Sequence, residues 1–191
     1  MDEMTHIMVD CETTDVDPQR GGVIQISAIK FNPTTLKVGP VFDGCPALLR
    51  TRRWSDSTRK FWRIDNKEVY ANIVGRQRPA REVFQAFADF CCKDAPFGGY
   101  VFVAKPIKFD WPMIESQMIE LDIEFPFAHW NYLDLHSYIA GLRGDVVRTA
   151  IEDEVPFPAG GSKHNALHDC AWQIDLLFHA KRAHIPATLV A

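Results

Sequence analysis

The sequence has no C-x-x-C pair, no apolar run near the roughly 20 residues that a membrane helix needs, and no excess of positive charge. Each absence removes a class of protein. Cys11, Cys45, Cys91, Cys92 and Cys170 form an odd set without zinc-ligand spacing, which argues against a disulfide framework and against a structural zinc site. With no spanning run and no basic leader followed by a cleavage site, the chain is expected in the cytoplasm, with no membrane partner. A formal charge of −4 gives no overall basic signature, so a polyanionic partner has to be met by a local patch or through metal ions. Internal repeats and low-complexity tracts are also missing. What is present is apolar material, 47% of 191 residues, enough for one domain over residues 1–191 with its own core.

The periodicity of the chain changes along its length. Residues 6–10 read as a short strand, "GVIQISAIKF" (22–31) as a longer one with Ile24, Ile26 and Ala28 on one face, and "VGPVF" (38–42) as a returning third. That is a β-meander. Helical spacing then takes over in "DNKEVYANI" and in "PAREVFQAFADFCCK", where Val83, Phe84, Phe87 and Cys91 share a stripe. "GYVFVA" (99–104) predicts a fourth strand, "PMIESQMIEL" (112–121) a helix with Ile114, Met118 and Leu121 inward, and "NYLDLH" (131–136) a fifth strand. A last helix starts near Asn165 and carries Leu167, Ala171, Ile174 and Phe178, after the Pro/Gly-rich loop "PFPAGGS" (156–162). The expected class is α/β, a mixed sheet with an N-terminal meander, flanked by helices.

"HIMVDCETTD" ends an apolar strand in two carboxylates. Residues i and i+2 of a strand point the same way, so Asp10 and Glu12 project together. Two carboxylates that close repel, and a cation between them relieves the repulsion. Oxygen-only ligands suit Mg²⁺ or Mn²⁺ better than zinc. Taken alone, the pair also fits a solvated strand end, and D-x-E recurs at Asp122 and Glu124. Two further acids shift the balance. Asp110 in "KFDWP" stands before a Pro-led helix, where capping is the alternative role, and Asp169 lies one turn into the last helix. His164 sits five residues before Asp169 on a glycine-rich entry, and five residues along a helix is about 500°, so the two would not share a helical face.

"RTRRWSDSTRKFWR" (50–63) interleaves Arg50, Arg52, Arg53, Arg59, Lys60 and Arg63 with Trp54, Phe61 and Trp62. Cations for phosphates and aromatic faces for bases are what single-strand binding uses. A basic amphipathic helix with its aromatics on the core is the competing reading, favoured for Phe61 and Trp62. Trp54, beside the arginines, is the stacking candidate, and Arg52 and Arg53 are the backbone candidates.

Asp10-x-Glu12-Thr13, Phe109-Asp110 and His164-x-Ala166-x-x-Asp169 resemble, in order, the three motifs of the DEDDh 3′→5′ exonucleases, which have the RNase H-like (DnaQ-like) fold. "KPIKFDWP" and "KHNALHD" are similar to those of small bacterial and phage exoribonuclease-like members. The resemblance implies two divalent cations, Mg²⁺ or Mn²⁺. Asp10 would bridge both, Glu12 and Asp169 would complete one site, and Asp110 would hold the second. It implies His164 as the general base, with His168 as a decoy about 100° around the helix from Asp169. Thr13 and Thr14 would reach the terminal nucleotide, unless they only form a turn. The pattern departs from many relatives in Asp15 after Thr14 and in Ala104-Lys105-Pro106-Ile107-Lys108 before Asp110, where Lys105 or Lys108 could contact a phosphate or simply be solvated.

The expected activity is release of nucleoside 5′-monophosphates from the 3′ end of single-stranded RNA or DNA. A binding module without turnover and a phosphoesterase for short oligonucleotides are the alternatives. The choice between RNA and DNA stays open, as does the oligomeric state, a homodimer included.

Overall fold

The computed structural model describes residues 3–145 and 151–184. Its centre is a five-stranded mixed sheet in the order β3-β2-β1-β4-β5. β1 (His6–Thr13), β2 (Val23–Asn32) and β3 (Lys37–Gly44) form the expected antiparallel meander, while β4 (Val101–Ala104) and β5 (Tyr132–Asp134) add in parallel beside β1. This is the RNase H-like (DnaQ-like) arrangement anticipated from the sequence.

Helices cover both faces of the sheet, and the strand period decides which residue meets which layer. Ile7, Val9 and Cys11 of β1 and Ile26 and Ala28 of β2 pack under α3 (Ala80–Cys92) and α4 (Ile107–Glu120). Met8 and, on β2, Ile29 and Phe31 pack against α5 (Leu135–Arg143) and α6 (Ala166–His184). Asp10 and Glu12 continue the Met8 face, so the paired acids point toward α6. A third, smaller cluster joins Ile24 and Cys45 to Trp62 and Ile73, which lie on the short helix α1 (Asp56–Lys60) with its π-helical extension Phe61–Asp65 and on α2 (Lys67–Gly75).

Four local expectations are corrected. α4 starts at Ile107 and carries Pro112 inside it, because its buried stripe runs Asp110, Met113, Ile114, Gln117 and Met118 and begins before the proline. Asp110 is therefore inside the first turn, buried to 2% exposure, and does not cap its helix, whose first N–H, on Ile107, donates to Asp134 Oδ2 at 3.0 Å. The fifth strand stops at Asp134, whose carboxylate accepts from Ser137 N and caps α5, a helix the sequence reading did not separate. On α6 the inward stripe runs through Ala166, Cys170, Gln173, Ile174 and Leu177, leaving Ala171 exposed.

Candidate active site

Three elements bring four carboxylates to the C-terminal end of β1. β1 supplies Asp10 and Glu12, one residue apart on one face, and α6 crosses that face with Asp169 in its first turn. Ligand oxygens of Asp10, Glu12 and Asp169 lie within 4.8 Å of one another. Asp110 arrives from the opposite layer. β4 pairs with β1 only over His6–Met8, and beyond that point Asp110 Oδ1 accepts the backbone N–H of Cys11 at 2.9 Å. The sheet edge left by a short neighbouring strand is thus what admits the fourth acid. All four line one cavity of about 250 Å³ together with Lys105, Phe109, His164, Trp172 and Gln173.

Electrostatics in this cavity are unfavourable for bare carboxylates. Burial first, then the charges of Asp110, Glu12 and Asp169, pushes Asp10 well above the usual carboxylate range. Burial, with Asp169 and Asp110 facing it, raises Glu12 to about 8. Burial raises Asp110 to about 7 against its hydrogen bonds from Cys11, and Asp169 to about 6 against the backbone amides of His164 and Asn165. Four acids that resist ionisation together are suited to compensation by divalent cations. The donor set is all carboxylate oxygen, which fits Mg²⁺ or Mn²⁺. The buried Oε1 of Gln173, at the rim of the set, also has no hydrogen-bond partner among the described residues.

His164 stands at the mouth of the same cavity, exposed, with a left-handed backbone (φ 63°) and its ring edge-on to Phe61 at 4.8 Å between centroids. Although the residue as a whole is exposed, partial burial of the ring, aided by the Lys163 charge, lowers its pKa and favours the neutral imidazole. α6 begins only at Ala166, after Asn165, whose side chain accepts from His168 N. That non-helical entry lets His164 and Asp169, five residues apart, border one cavity. His168 points elsewhere: its Nδ1 accepts from Ser162 N at 2.9 Å and it borders a separate polar cavity with Asp43 and Arg76. Asp122 and Glu124 line a third cavity beyond α4, away from the cluster.

The model of the 3′-5′ exoribonuclease Rv2179c-like domain matches residues 5–179. The chain belongs to that family. It is therefore a 3′-5′ exonuclease by family, a class that uses divalent metal ions. Solved structures share the fold. The nuclease domain of 3′hExo, a DEDDh family member solved with rAMP, has a TM-score of 0.71 at 15% identity, over 93% of this chain and 91% of its own. Cell-death related nuclease 4 gives 0.69 at 18% identity over 95% of this chain, which spans 64% of the nuclease's length. Exonuclease X, solved with 5′ overhanging duplex DNA, gives 0.60 at 18% identity over 94% and 92%. No curated protein sequence matches this chain.

The residues expected to touch substrate fare differently. Arg52 is corrected: its side chain is 6% exposed, with Nε on Glu120 at 2.7 Å and its terminal nitrogens on the carbonyls of Pro18, Gly21 and Ser116. It fastens the loop after β1 to α4 and has no face left for a phosphate chain. Thr13 and Thr14 are found in the turn that was the other role the sequence allowed them. Both residues are buried, Thr13 Oγ1 donating to Asp15 O and Thr14 Oγ1 bridging Gly22 N and Arg53 O. Trp62 lies in the core with Nε1 on Thr13 O, whereas Trp54 is half-buried with its ring edge-on to Tyr70. Arg53, with Arg50, Arg59, Lys60 and Arg63, is exposed. Alternating burial inside a basic stretch has no period that marks Arg52 as the inward one. Gln173 and Trp172 of the site escaped the sequence reading, and Phe61 was read only as a core aromatic. Gln173 sits four residues after Asp169, one helical turn on, a spacing that could have marked it. Phe61 has no such signal, since only the π-helical turn aims it at His164.

Proposed function

We propose that this exonuclease hydrolyses single-stranded RNA or DNA from the 3′ end and releases nucleoside 5′-monophosphates, with two divalent ions and a histidine base. The observation that carries the reading is the convergence of Asp10, Glu12, Asp110 and Asp169 from three elements on one cavity, all with raised pKa values. Asp10, Glu12 and Asp169 would hold one ion, and Asp10 with Asp110 the other. Bound there, Mg²⁺ or Mn²⁺ supplies the charge that stabilises the attacking and leaving oxygens of an in-line displacement.

The protein's own part is orientation and proton transfer. Gln173 and the Cys11 amide fix two of the carboxylates, and His164, neutral and at the cavity mouth, accepts the proton of the attacking water. Arg53 and Trp54 remain the candidates for backbone contact and base stacking along the single strand. Known structural relatives were solved with rAMP and with DNA, which supports a nucleic-acid substrate without choosing between the two sugars. The test is Asp10→Asn. It removes the proposed bridging charge while relieving repulsion, so hydrolysis collapses and the metal-free melting temperature stays level or rises. Near-wild-type turnover in Mg²⁺ would place the site elsewhere.

A further inference from the structure

Lys105 occupies a position that its sequence context suggests is an ordinary surface loop, between β4 and α4. Its side chain is 10% exposed. Nζ lies 2.9 Å from Glu152 Oε1 and 4.5 Å from the centroid of the Trp172 ring. Both partners are themselves held. His136 Nε2 stands 3.2 Å from the same Glu152 oxygen, and Trp172 Nε1 donates to Val155 O at 2.9 Å. The ammonium is thus clamped between a carboxylate and an aromatic face, and it borders the cavity that holds the four acids and His164. Its charge also reaches Asp169 across that cavity, where it opposes the rise of the Asp169 pKa.

Holding a flexible, strongly hydrated ammonium in one place costs side-chain entropy, and the Glu152 and Trp172 contacts hold this one at the edge of the cavity. The four carboxylates and two dications sum to no net charge, while the substrate brings a phosphodiester anion whose negative charge concentrates at the cleaved bond. An ammonium has three donors, and one is spent on Glu152. We propose that Lys105 is a substrate-binding residue whose Nζ donates to a phosphate oxygen of the 3′-terminal nucleotide, with Glu152 and Trp172 as the residues that position it. The inference rests on the nuclease reading of the site, and it assigns the phosphate contact to a residue at the entry of α4 rather than to the arginine-rich stretch.

The test uses the full chain and two readouts. The first is calorimetric binding of adenosine 5′-monophosphate, the product-like probe, in Mg²⁺. Lys105→Met keeps the length of the side chain and removes the charge. A charge-assisted hydrogen bond lost in this way weakens binding by about 10- to 100-fold. Mg²⁺ binding measured without nucleotide is expected to change far less. The second readout is single-turnover cleavage of a labelled oligonucleotide, which should fall with the same substitution. A wild type that cleaves the oligonucleotide, with Lys105→Met equal to it in both readouts, overturns the inference and leaves the nuclease reading standing. A wild type that binds the monophosphate through Lys105 yet cleaves no polymer sustains the inference and overturns that reading. A wild type that does neither overturns both. Should Lys105→Met fail to fold, Glu152→Leu carries the test, since it keeps the ammonium and removes the acceptor that positions it. Monophosphate affinity unchanged in that variant overturns the assignment.

Discussion

Gln173 Nε2 donates to Asp10 Oδ1 at 2.8 Å and ties the last helix to the end of the first strand. The bond fixes the orientation of the carboxylate assigned to bridge two ions. Outer partners of metal ligands typically change affinity or activity by 10- to 100-fold when removed. Gln173→Ala is therefore expected to lower Mg²⁺ affinity or turnover by about that factor. Calorimetric Mg²⁺ titration beside single-turnover kinetics reads both, and a variant equal to wild type in the two would mean that Asp10 orients itself.

Arg52 and Arg53 separate by role although they are adjacent. Arg52→Ala removes the ion pair with Glu120 and the donors to the carbonyls of Pro18, Gly21 and Ser116, at a cost of about 3 kcal/mol in stability. Arg53→Ala is expected to be near neutral in a denaturant melt and to flatten the salt dependence of single-strand binding by about 0.7 log units of slope. A stable Arg52→Ala protein would contradict the buried network.

This pair also shows where the sequence was legible. The strand period places Asp10 and Glu12 on one face, and that survives in the structure because β1 is regular up to the irregularity between Glu12 and Thr13. The helical stripe of α3 is likewise found as read. Arg52 was misjudged because its partners, Glu120, Pro18, Gly21 and Ser116, come from elsewhere in the chain, and no local spacing encodes them. Asp110 was identified as a site residue but placed before its helix, since Pro112 suggested a start that the buried stripe overrides. Lys105 could be named from its place before Asp110, yet its clamp depends on Glu152 and Trp172, 47 and 67 positions along.

The two histidines divide in the same way. His164→Ala is expected to lower the hydrolysis rate by about 10²- to 10⁴-fold with Mg²⁺ binding retained, as for loss of a general base. His168→Ala, whose ring faces Ser162, should change the rate far less. Single-turnover cleavage with both variants decides, and a larger loss in His168→Ala would reverse the assignment.

Metal-free stability should depend on pH in a defined direction. Glu12, Asp110 and Asp169 have folded pKa values of about 8, 7 and 6, above their unfolded values near 4. The native state then binds more protons, so stability present at low pH is lost as the pH rises through about 4 to 8. His6, lowered to about 4 by burial, acts oppositely, but only below its unfolded value of 6.5. Between about pH 6.5 and about pH 8 the carboxylates dominate. The melting temperature in EDTA is expected to fall over that interval, and Mg²⁺ should raise it more at the higher pH. Equal increments at both would remove the cluster as the metal site.

The central claim is metal-dependent hydrolysis from a 3′ end, and the most direct measurement is the product ladder of a 5′-labelled single strand, run as RNA and as DNA beside a circular strand of the same sequence. The account predicts label-bearing products that shorten one nucleotide at a time in Mg²⁺ or Mn²⁺, no products in EDTA, and an intact circle. Cleavage of the circle at the rate of the linear strand, or a ladder that persists in EDTA, would contradict it.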